Sequence, residues 1–153
     1  PNIEAIFLAL RFLNAIEILE MVETVDIGNY DRWQGYLTAL IDQCVMIFHS
    51  DETKAKLIYD TNTPDFEGDS FGEDMDHQIV DLVYKRLSER YEMPNFDDIQ
   101  NTLLIAYSIV NAIFTLSYRR HQSITEDYIQ EANTAFIAYL RCYLPEKLRR
   151  KSV

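Results

Sequence analysis

The chain has 153 residues, of which 48% are hydrophobic and 25% charged, and its formal net charge is −11. This length and composition indicate one domain with a substantial core, over residues 1–153, and exclude a disordered chain. The acidic charge would repel a phosphate backbone, so we expect no binding of DNA or RNA by this segment itself. Four glycines and four prolines are few for a sheet protein, and we predict an all-α fold.

Apolar residues at helical spacing predict about six helices in chain order. Pro1 directly precedes the first helix without an initiator Met, which indicates a processed or truncated chain. Ser50 and Asn95 are the expected N-terminal caps of two helices, and the last helix is expected to begin at Ser123 or Thr125, with Ser123 and Glu126 spaced as a capping box. We expect an acidic loop over residues 60–76 and a frayed basic tail over residues 146–153. The expected helices span residues 2–24, 31–49, 51–59 and about 75–92, followed by two long helices between residues 95 and 144 that are joined at residues 121–124.

The last two helices carry more apolar surface than the rest of one small chain can cover. Residues 103–116, LLIAYSIVNAIFTL, contain no charge over four turns, whereas a surface helix needs an apolar stripe of only about 100°. The simplest source of the missing cover is a second copy of the same pair. We therefore predict a homodimer whose interface contains Ile105, Ile109, Ala112, Ile113, Leu116, Phe136, Tyr139, Leu140 and Tyr143.

The two cysteines and the lengths of the apolar runs also predict the cellular compartment of the protein. Cys44 and Cys142 lie inside apolar helical patterns, and we interpret them as buried free thiols of a cytoplasmic protein. No signal peptide is recognisable. Polar residues such as Ser108, Asn111 and Thr115 interrupt the longest charge-free run, which therefore does not match the roughly 20-residue apolar span that a membrane requires, and we expect no membrane association.

No arrangement of residues indicates catalysis, a cofactor or a metal. Asp65, Glu67 and Asp69 alternate as in calcium loops, but Ser70 and Asp76 stand where glycine and a bidentate glutamate are required. A solvated acidic loop explains them better. Asp74 and His77 form half of a bundle-type metal site, for which the sequence supplies no second acid–histidine pair. We expect a protein that is not an enzyme.

Polar residues within the most apolar helix have two interpretations. Tyr107, Ser108, Asn111 and Thr115 must find hydrogen-bond partners, since a buried group without one costs roughly 1–3 kcal/mol. For Ser108 and Thr115 we expect bonds to backbone carbonyls or across helices. Tyr107 and Asn111 either form such hydrogen bonds as well or belong to an apolar and aromatic small-molecule pocket between helices. The residues predicted for that pocket are Phe12, Trp33, Met46, Tyr84, Tyr107 and Asn111.

The last fifty residues, with NTLLIAYSIVNAIFTLSYRRHQSITEDYIQEANTAFIAYLRCYL, resemble the C-terminal region of TetR-type (tetracycline-repressor-like) bacterial transcriptional regulators. In that family a long apolar helix, a short Arg-His-x-x-Ile-Thr connection and a helix ending in Tyr-Leu form the dimerisation pair. The segment ALIDQCVMIFHSDETKAKLIY is similar to the family's helix, Asp-containing turn and short helix. The helix-turn-helix domain that precedes this region in the family is absent from the chain.

The resemblance implies a homodimeric sensor whose last two helices form a four-helix bundle across a two-fold axis. A small apolar or aromatic effector would favour one arrangement of the first helix, which in the family leads to the DNA-binding domain. DNA would be contacted only through that missing domain, most simply as a repressor. Two alternatives are a helical oligomerisation module without a small ligand and a bundle enzyme using metal, for which carboxylates are lacking.

Overall fold

The computed structural model describes residues 2–60 and 70–152, except for the side chains of residues 70 and 71. This part of the chain is all-helical, as predicted, with six α-helices and no β-strand. A short 3-10 turn, Ile27–Asn29, follows the first helix. The helices are α1 (Ile3–Thr24), α2 (Trp33–Ser50), α3 (Glu52–Tyr59), α4 (Ser70–Arg90), α5 (Ile99–His121) and α6 (Glu126–Arg141).

Apolar side chains from all six helices meet in one continuous core. Trp33, Tyr36, Tyr91 and Phe114 are its bulkiest fully enclosed members. Burial of aromatic side chains of this size supplies much of the stability of a small helical domain. The core therefore fixes the positions of α1, α3, α4 and α5 around the cleft described below.

α5 and α6 form the helical pair predicted at the C-terminal end, with their connection at the predicted place. Gln122 ends α5 in the left-handed region at φ 56°, and its N–H donates to the Tyr118 carbonyl at 2.8 Å. The buried Ser117 hydroxyl donates to the Ser123 carbonyl at 2.8 Å and accepts from the Thr125 N–H at 3.1 Å. A short connection makes the two helices antiparallel neighbours.

Two predicted N-terminal caps differ from the observed ones. α3 is capped by Asp51, whose carboxylate accepts from the Thr53 N–H at 2.9 Å, while Ser50 is the last residue of α2. Asp98 rather than Asn95 precedes α5. Of the two predicted starts of α6, Thr125 is the observed one. All of these residue types can cap a helix, so the sequence alone does not determine which one leaves the helical conformation.

α4 begins at Ser70, several residues before its predicted start near Met75. The predicted loop over residues 60–76 is therefore partly helical, and Asp76 lies within α4. Asp65, Glu67 and Asp69 lie outside the described residues, so the solvated acidic loop stays a prediction.

The C-terminal tail is attached to the domain, and the prediction of a frayed end was wrong. The Glu92 N–H donates to the Arg149 carbonyl at 2.8 Å, and the Lys151 N–H donates to the Arg90 carbonyl at 2.9 Å. Leu148 is buried. Arg150 donates to the Asp31 carboxylate at 2.7 Å. These contacts pair the tail with the end of α4, which no short-range sequence signal could indicate.

Candidate functional site

A cleft of about 330 Å³ lies between α1, α3, α4 and α5, with Phe48 of α2 also in its lining. An apolar inner chamber of about 80 Å³ adjoins it and extends toward α2 and Phe136 of α6. Small-molecule sites in proteins are typically apolar cavities with a few convergent polar groups. Both spaces are lined by Ile18, Phe48, Tyr59, Ile79, Tyr107 and Asn111.

A chain of hydrogen bonds runs along the wall of the cleft. The Tyr59 hydroxyl donates to Asn111 Oδ1 at 3.0 Å. Because the Asn111 oxygen accepts from Tyr59, the amide nitrogen is the atom of Asn111 that interacts with the Tyr107 hydroxyl. The same hydroxyl is also hydrogen-bonded to the Asp76 carboxylate. The chain connects α3, α5 and α4 and ends at a carboxylate. Asn111 is its central member, because both ends of its amide have partners.

The two tyrosines remain protonated at neutral pH. Loss of hydration is the largest cause that raises the pKa of Tyr107, followed by the negative charge of Asp76. Burial likewise raises the pKa of Tyr59 well above its ordinary value. The ring of Tyr59 is held edge-on by Phe48 at 5.3 Å and by Phe114 at 5.9 Å between ring centres. The hydroxyl donors are therefore fixed in position and in protonation state.

Local helix geometry explains why the α5 residues share one wall. Tyr107, Asn111 and Thr115 are four residues apart and therefore lie on one face of the helix. The Thr115 hydroxyl donates to the Asn111 carbonyl at 2.8 Å, and the Ser108 hydroxyl donates to the Leu104 carbonyl at 2.8 Å. The expectation that Ser108 and Thr115 bond to backbone carbonyls is confirmed.

α1 forms the opposite wall through Arg11, Asn14 and Ile18. Asn14 is only 5% exposed, and its Oδ1 has no hydrogen-bond partner among the residues that the structure describes. Arg11 of α1 and Asp76 of α4 give the lining one positive and one negative charge. The described residues of the lining thus carry no net formal charge, and the Asn14 oxygen has almost no accessible surface.

Of the six residues predicted for the pocket, Tyr107 and Asn111 line the cleft. Phe12 and Met46 are 42% and 61% exposed and lie outside it. Each is two residues from a lining residue, Asn14 or Phe48, and two residues correspond to about 200° of rotation around a helix. We therefore leave both out of the proposed site.

Trp33 and Tyr84 also lie away from the cleft and its inner chamber. Trp33 is fully enclosed, and its Nε1 donates to the Pro145 carbonyl at 2.9 Å. This bond holds the segment after α6 against α2. Tyr84 is half-buried and packs against the core. Both residues have structural roles, which the apolar pattern alone could not separate from ligand contact.

Asn14, Asp76 and Tyr59 are among the lining residues that were not predicted for the site. Asn14 carried the same signal as Asn111, a lone amide within an apolar helix, but the nearly complete apolar surface of α1 concealed it. Asp76 was interpreted as part of a loop. Tyr59 ends a short helix and has no distinguishing local pattern.

The pair α5 and α6 exposes an apolar face, as the dimer prediction requires. Only 28% of the most apolar 18-residue window of α5 is buried within the subunit. Phe136 and Leu140 are enclosed in the subunit core and do not contribute to this face, because they occupy the α6 stripe that packs inward. The predicted interface residues at least partly exposed are Ile105, Ile109, Ala112, Ile113, Leu116, Tyr139 and Tyr143.

α5 is also long and apolar enough to cross a membrane, with a mean hydropathy of 1.4 over that window. Helices in the core or at an interface of soluble proteins share this length and composition. We found one such helix within residues 2–60 and 70–152. Taken by itself, it is weak evidence for a membrane span.

A second apolar stripe lies on the first half of α1. Ile3, Ile6, Leu10 and Leu13 recur every three or four residues and are 43–67% exposed. Spacing of this kind places them on one side of the helix. This α1 stripe is a competing surface for any partner, and the experiments below distinguish it from the α5–α6 face.

Other candidate groups are dispersed. Asp74 and His77 are exposed on α4, and the described residues contain no group of three or more potential metal ligands. Cys44 is a half-buried free thiol whose burial raises its pKa to about 12. Cys142 is free but exposed, so the prediction of burial was wrong for that residue.

Comparisons with protein families, curated proteins and solved structures found no match. The cleft, the exposed faces and the resemblance of the sequence are therefore the features that bear on function.

Proposed function

We propose that this chain is the effector-sensing and homodimerisation domain of a TetR-like transcriptional regulator, most simply a cytoplasmic repressor. A small molecule binds in the cleft, and two copies associate through α5 and α6 to form an intersubunit four-helix bundle. DNA is contacted by a helix-turn-helix domain that is not part of this sequence.

The observation that carries the proposal is the position of the cleft against α1. Asn14 and Ile18 of α1 face the chain Tyr59–Asn111–Tyr107–Asp76 across it. A ligand there contacts α1 and α5 together. In TetR-like proteins the helix corresponding to α1 leads to the DNA-binding domain. The ligand alters DNA binding only if it has different affinities for two arrangements of α1.

The exposed α5–α6 face supports the proposed dimer. Ile105 and Tyr143 are 41% and 45% exposed, and Tyr143 packs on Tyr139 with 5.4 Å between ring centres. Exposed aromatic and aliphatic residues on adjacent helices are typical of protein interfaces. A second copy related by a two-fold axis offers the same face, and its antiparallel helix pair completes a four-helix arrangement.

Ligand binding is tested by thermal-shift screening of a chemically diverse small-molecule library. A ligand that binds only the folded state raises the melting temperature in a concentration-dependent manner. The Asn111→Leu variant removes the centre of the hydrogen-bond chain and should lose the response. Ser50→Ala, at an exposed position on α2, is the control and should keep it. If no compound shifts wild-type unfolding, the sensing proposal is contradicted.

The interface is tested with two matched substitutions of apolar side chains by glutamate. Ile109→Glu places an unpaired carboxylate in the proposed interface of both copies, which should cost at least about 3 kcal/mol and weaken the dimer about a hundredfold. Leu13→Glu changes the α1 stripe and should leave the dimer intact. Analytical ultracentrifugation measures both dissociation constants. If only the Leu13→Glu variant dissociates, the dimer interface lies on α1 and not on α5 and α6.

A helical oligomerisation module without a ligand is the second candidate. The small inner chamber favours it, since 80 Å³ is close to the scale of packing defects in a core. The two candidates differ in one result: the module dimerises but shows no ligand response, whereas the sensor shows both.

A further inference from the structure

The outer cleft and the inner chamber share a boundary made of side chains that face both spaces. The residues that line both are Ile18, Phe48, Tyr59, Ile79, Tyr107 and Asn111. Three of them, Tyr59, Asn111 and Tyr107, belong to the hydrogen-bond chain described above. Because the same side chains bound the two spaces, a molecule that passes between these side chains can occupy both.

The two spaces differ in chemistry. Beyond the shared boundary, the outer cleft is lined by the polar side chains of Arg11, Asn14, Asp76 and Thr115. The walls that belong to the inner chamber alone are apolar, apart from the thiol of Cys44. A polar group in the chamber would be buried without partners, which is costly, so the polar end of a ligand stays in the cleft. The described lining of the cleft carries one charge of each sign, which favours an uncharged polar end.

The volume of the inner chamber limits the apolar end of the ligand. A cavity of roughly 150 Å³ in another protein holds benzene, which corresponds to about 25 Å³ for each carbon atom. The inner chamber, with about 80 Å³, therefore holds about three carbons. The end of a straight alkyl chain fits this space, whereas an aromatic ring does not.

We propose that the cleft and the inner chamber form one site for a straight-chain amphiphile, with an uncharged polar head in the cleft and the last three or so carbons of its alkyl chain in the chamber. The boundary at Tyr59, Asn111 and Tyr107 marks where the polar head gives way to the chain. This inference rests on the proposed sensing function and names the class of ligand. It narrows the apolar or aromatic effector expected from the sequence to an aliphatic one.

A series of straight-chain primary amides, from propanamide to octanamide, tests how the chain is held. Titrations followed by NMR measure the dissociation constant of each amide for the wild-type protein. Each methylene that enters the chamber should tighten binding about fourfold, over about three successive members of the series. Binding should then stop tightening, because a longer chain overfills the chamber.

Two matched substitutions locate the end of the chain. Val110 and Val45 are each 6% exposed, but Val110 lines the chamber and Val45 lines neither space. Val110→Ala removes two carbons from the chamber wall, so the longest amide that still gains affinity should be about two carbons longer. Val45→Ala makes the same chemical change elsewhere in the core and should leave that length unchanged. Equal changes in the two variants, or no change in either, would overturn the proposal.

The thiol of Cys44 reports occupation of the chamber independently of affinity. Cys44 lines the chamber and does not line the cleft. Cys142→Ser removes the other free thiol. In that variant, about 90% occupancy by the longest amide that still gains affinity should slow modification of Cys44 by methyl methanethiosulfonate about tenfold, since only the empty fraction reacts. Propanamide at equal occupancy should give little protection, and equal protection by both amides would contradict a tail in the chamber.

The site for an amphiphile and the proposed sensing function fail in different ways. If amides bind with no dependence on chain length, or if affinity keeps rising through octanamide, no tail is held in the chamber, while sensing stands. The same conclusion follows if compounds of the diverse library bind and no amide does. If neither the amides nor the library produce any binding, the sensing proposal fails as well.

Discussion

Ser117 joins the two helices on which the proposed dimer depends, and its removal gives a quantitative test of the fold. The side chain is completely buried and bonds the connection between α5 and α6 twice. Its hydroxyl donates to the Ser123 carbonyl at 2.8 Å and accepts from the Thr125 N–H at 3.1 Å. Ser117→Ala removes both bonds and leaves the two backbone groups without that partner.

The size of the effect follows from the two bonds. Each hydrogen bond contributes about 0.5–1.5 kcal/mol to stability, so we expect a loss of about 1–3 kcal/mol in the free energy of unfolding. For a chain of this length, a loss of 2 kcal/mol lowers the melting temperature by about 4–8 °C. Alanine's slightly better helix propensity offsets only a few tenths of a kcal/mol.

Urea unfolding at one fixed protein concentration measures the change, since the stability of a dimer depends on concentration. Ser50→Ala is the matched control: its exposed hydroxyl makes one bond, to the Ile47 carbonyl at 2.7 Å, and its loss should change stability by less than about 0.5 kcal/mol. Equal effects of the two substitutions would refute the argument that Ser117 holds the connection.

Two further predictions concern the backbone and the core. Gln122→Gly should stabilise the protein by about 0.5–1 kcal/mol in chemical unfolding, because Gln122 is left-handed at φ 56° and glycine adopts that conformation readily; Gln122→Val should do the opposite. Tyr36→Phe should be neutral or stabilising by up to about 1 kcal/mol at pH 7, because the buried Tyr36 hydroxyl has no partner among the described residues. Burial raises the pKa of Tyr36 from 10.0 to about 12, so the unfolded chain releases this proton first, and the linked loss of folding stability begins above pH 10 and is complete once the pH passes 12. Wild type should therefore lose more stability over this range than Tyr36→Phe, and equal losses would contradict the assignment.

The helices were predictable from the sequence, but their ends were not. The charge-free α5 and the tight connection at Gln122 produced clear local patterns, and both lie where predicted. Helix starts depended on a choice between adjacent residues that can all cap, such as Ser50 and Asp51. The attachment of the tail involves Arg150 and Asp31, which are far apart in sequence, so no local pattern could indicate it.

Residues of the site were predictable only where a polar side chain stands among apolar ones in the sequence. Tyr107 and Asn111 stood out within the apolar α5, and both line the cleft. On α1 apolar residues occupy nearly every side, so periodicity did not determine that Asn14 faces inward while Phe12 is exposed. Which side of such a helix is buried depends on the tertiary packing of α2 and α4, which the sequence pattern does not specify.

The claim that a second copy covers α5 and α6 is central, because it explains both the charge-free sequence and the exposed apolar face. Size-exclusion chromatography with light scattering tests it most directly. At low micromolar concentration we predict a mass twice the subunit mass of 18.0 kDa. A mass of 18.0 kDa under the same conditions would contradict the dimer and, with it, the proposed sensor.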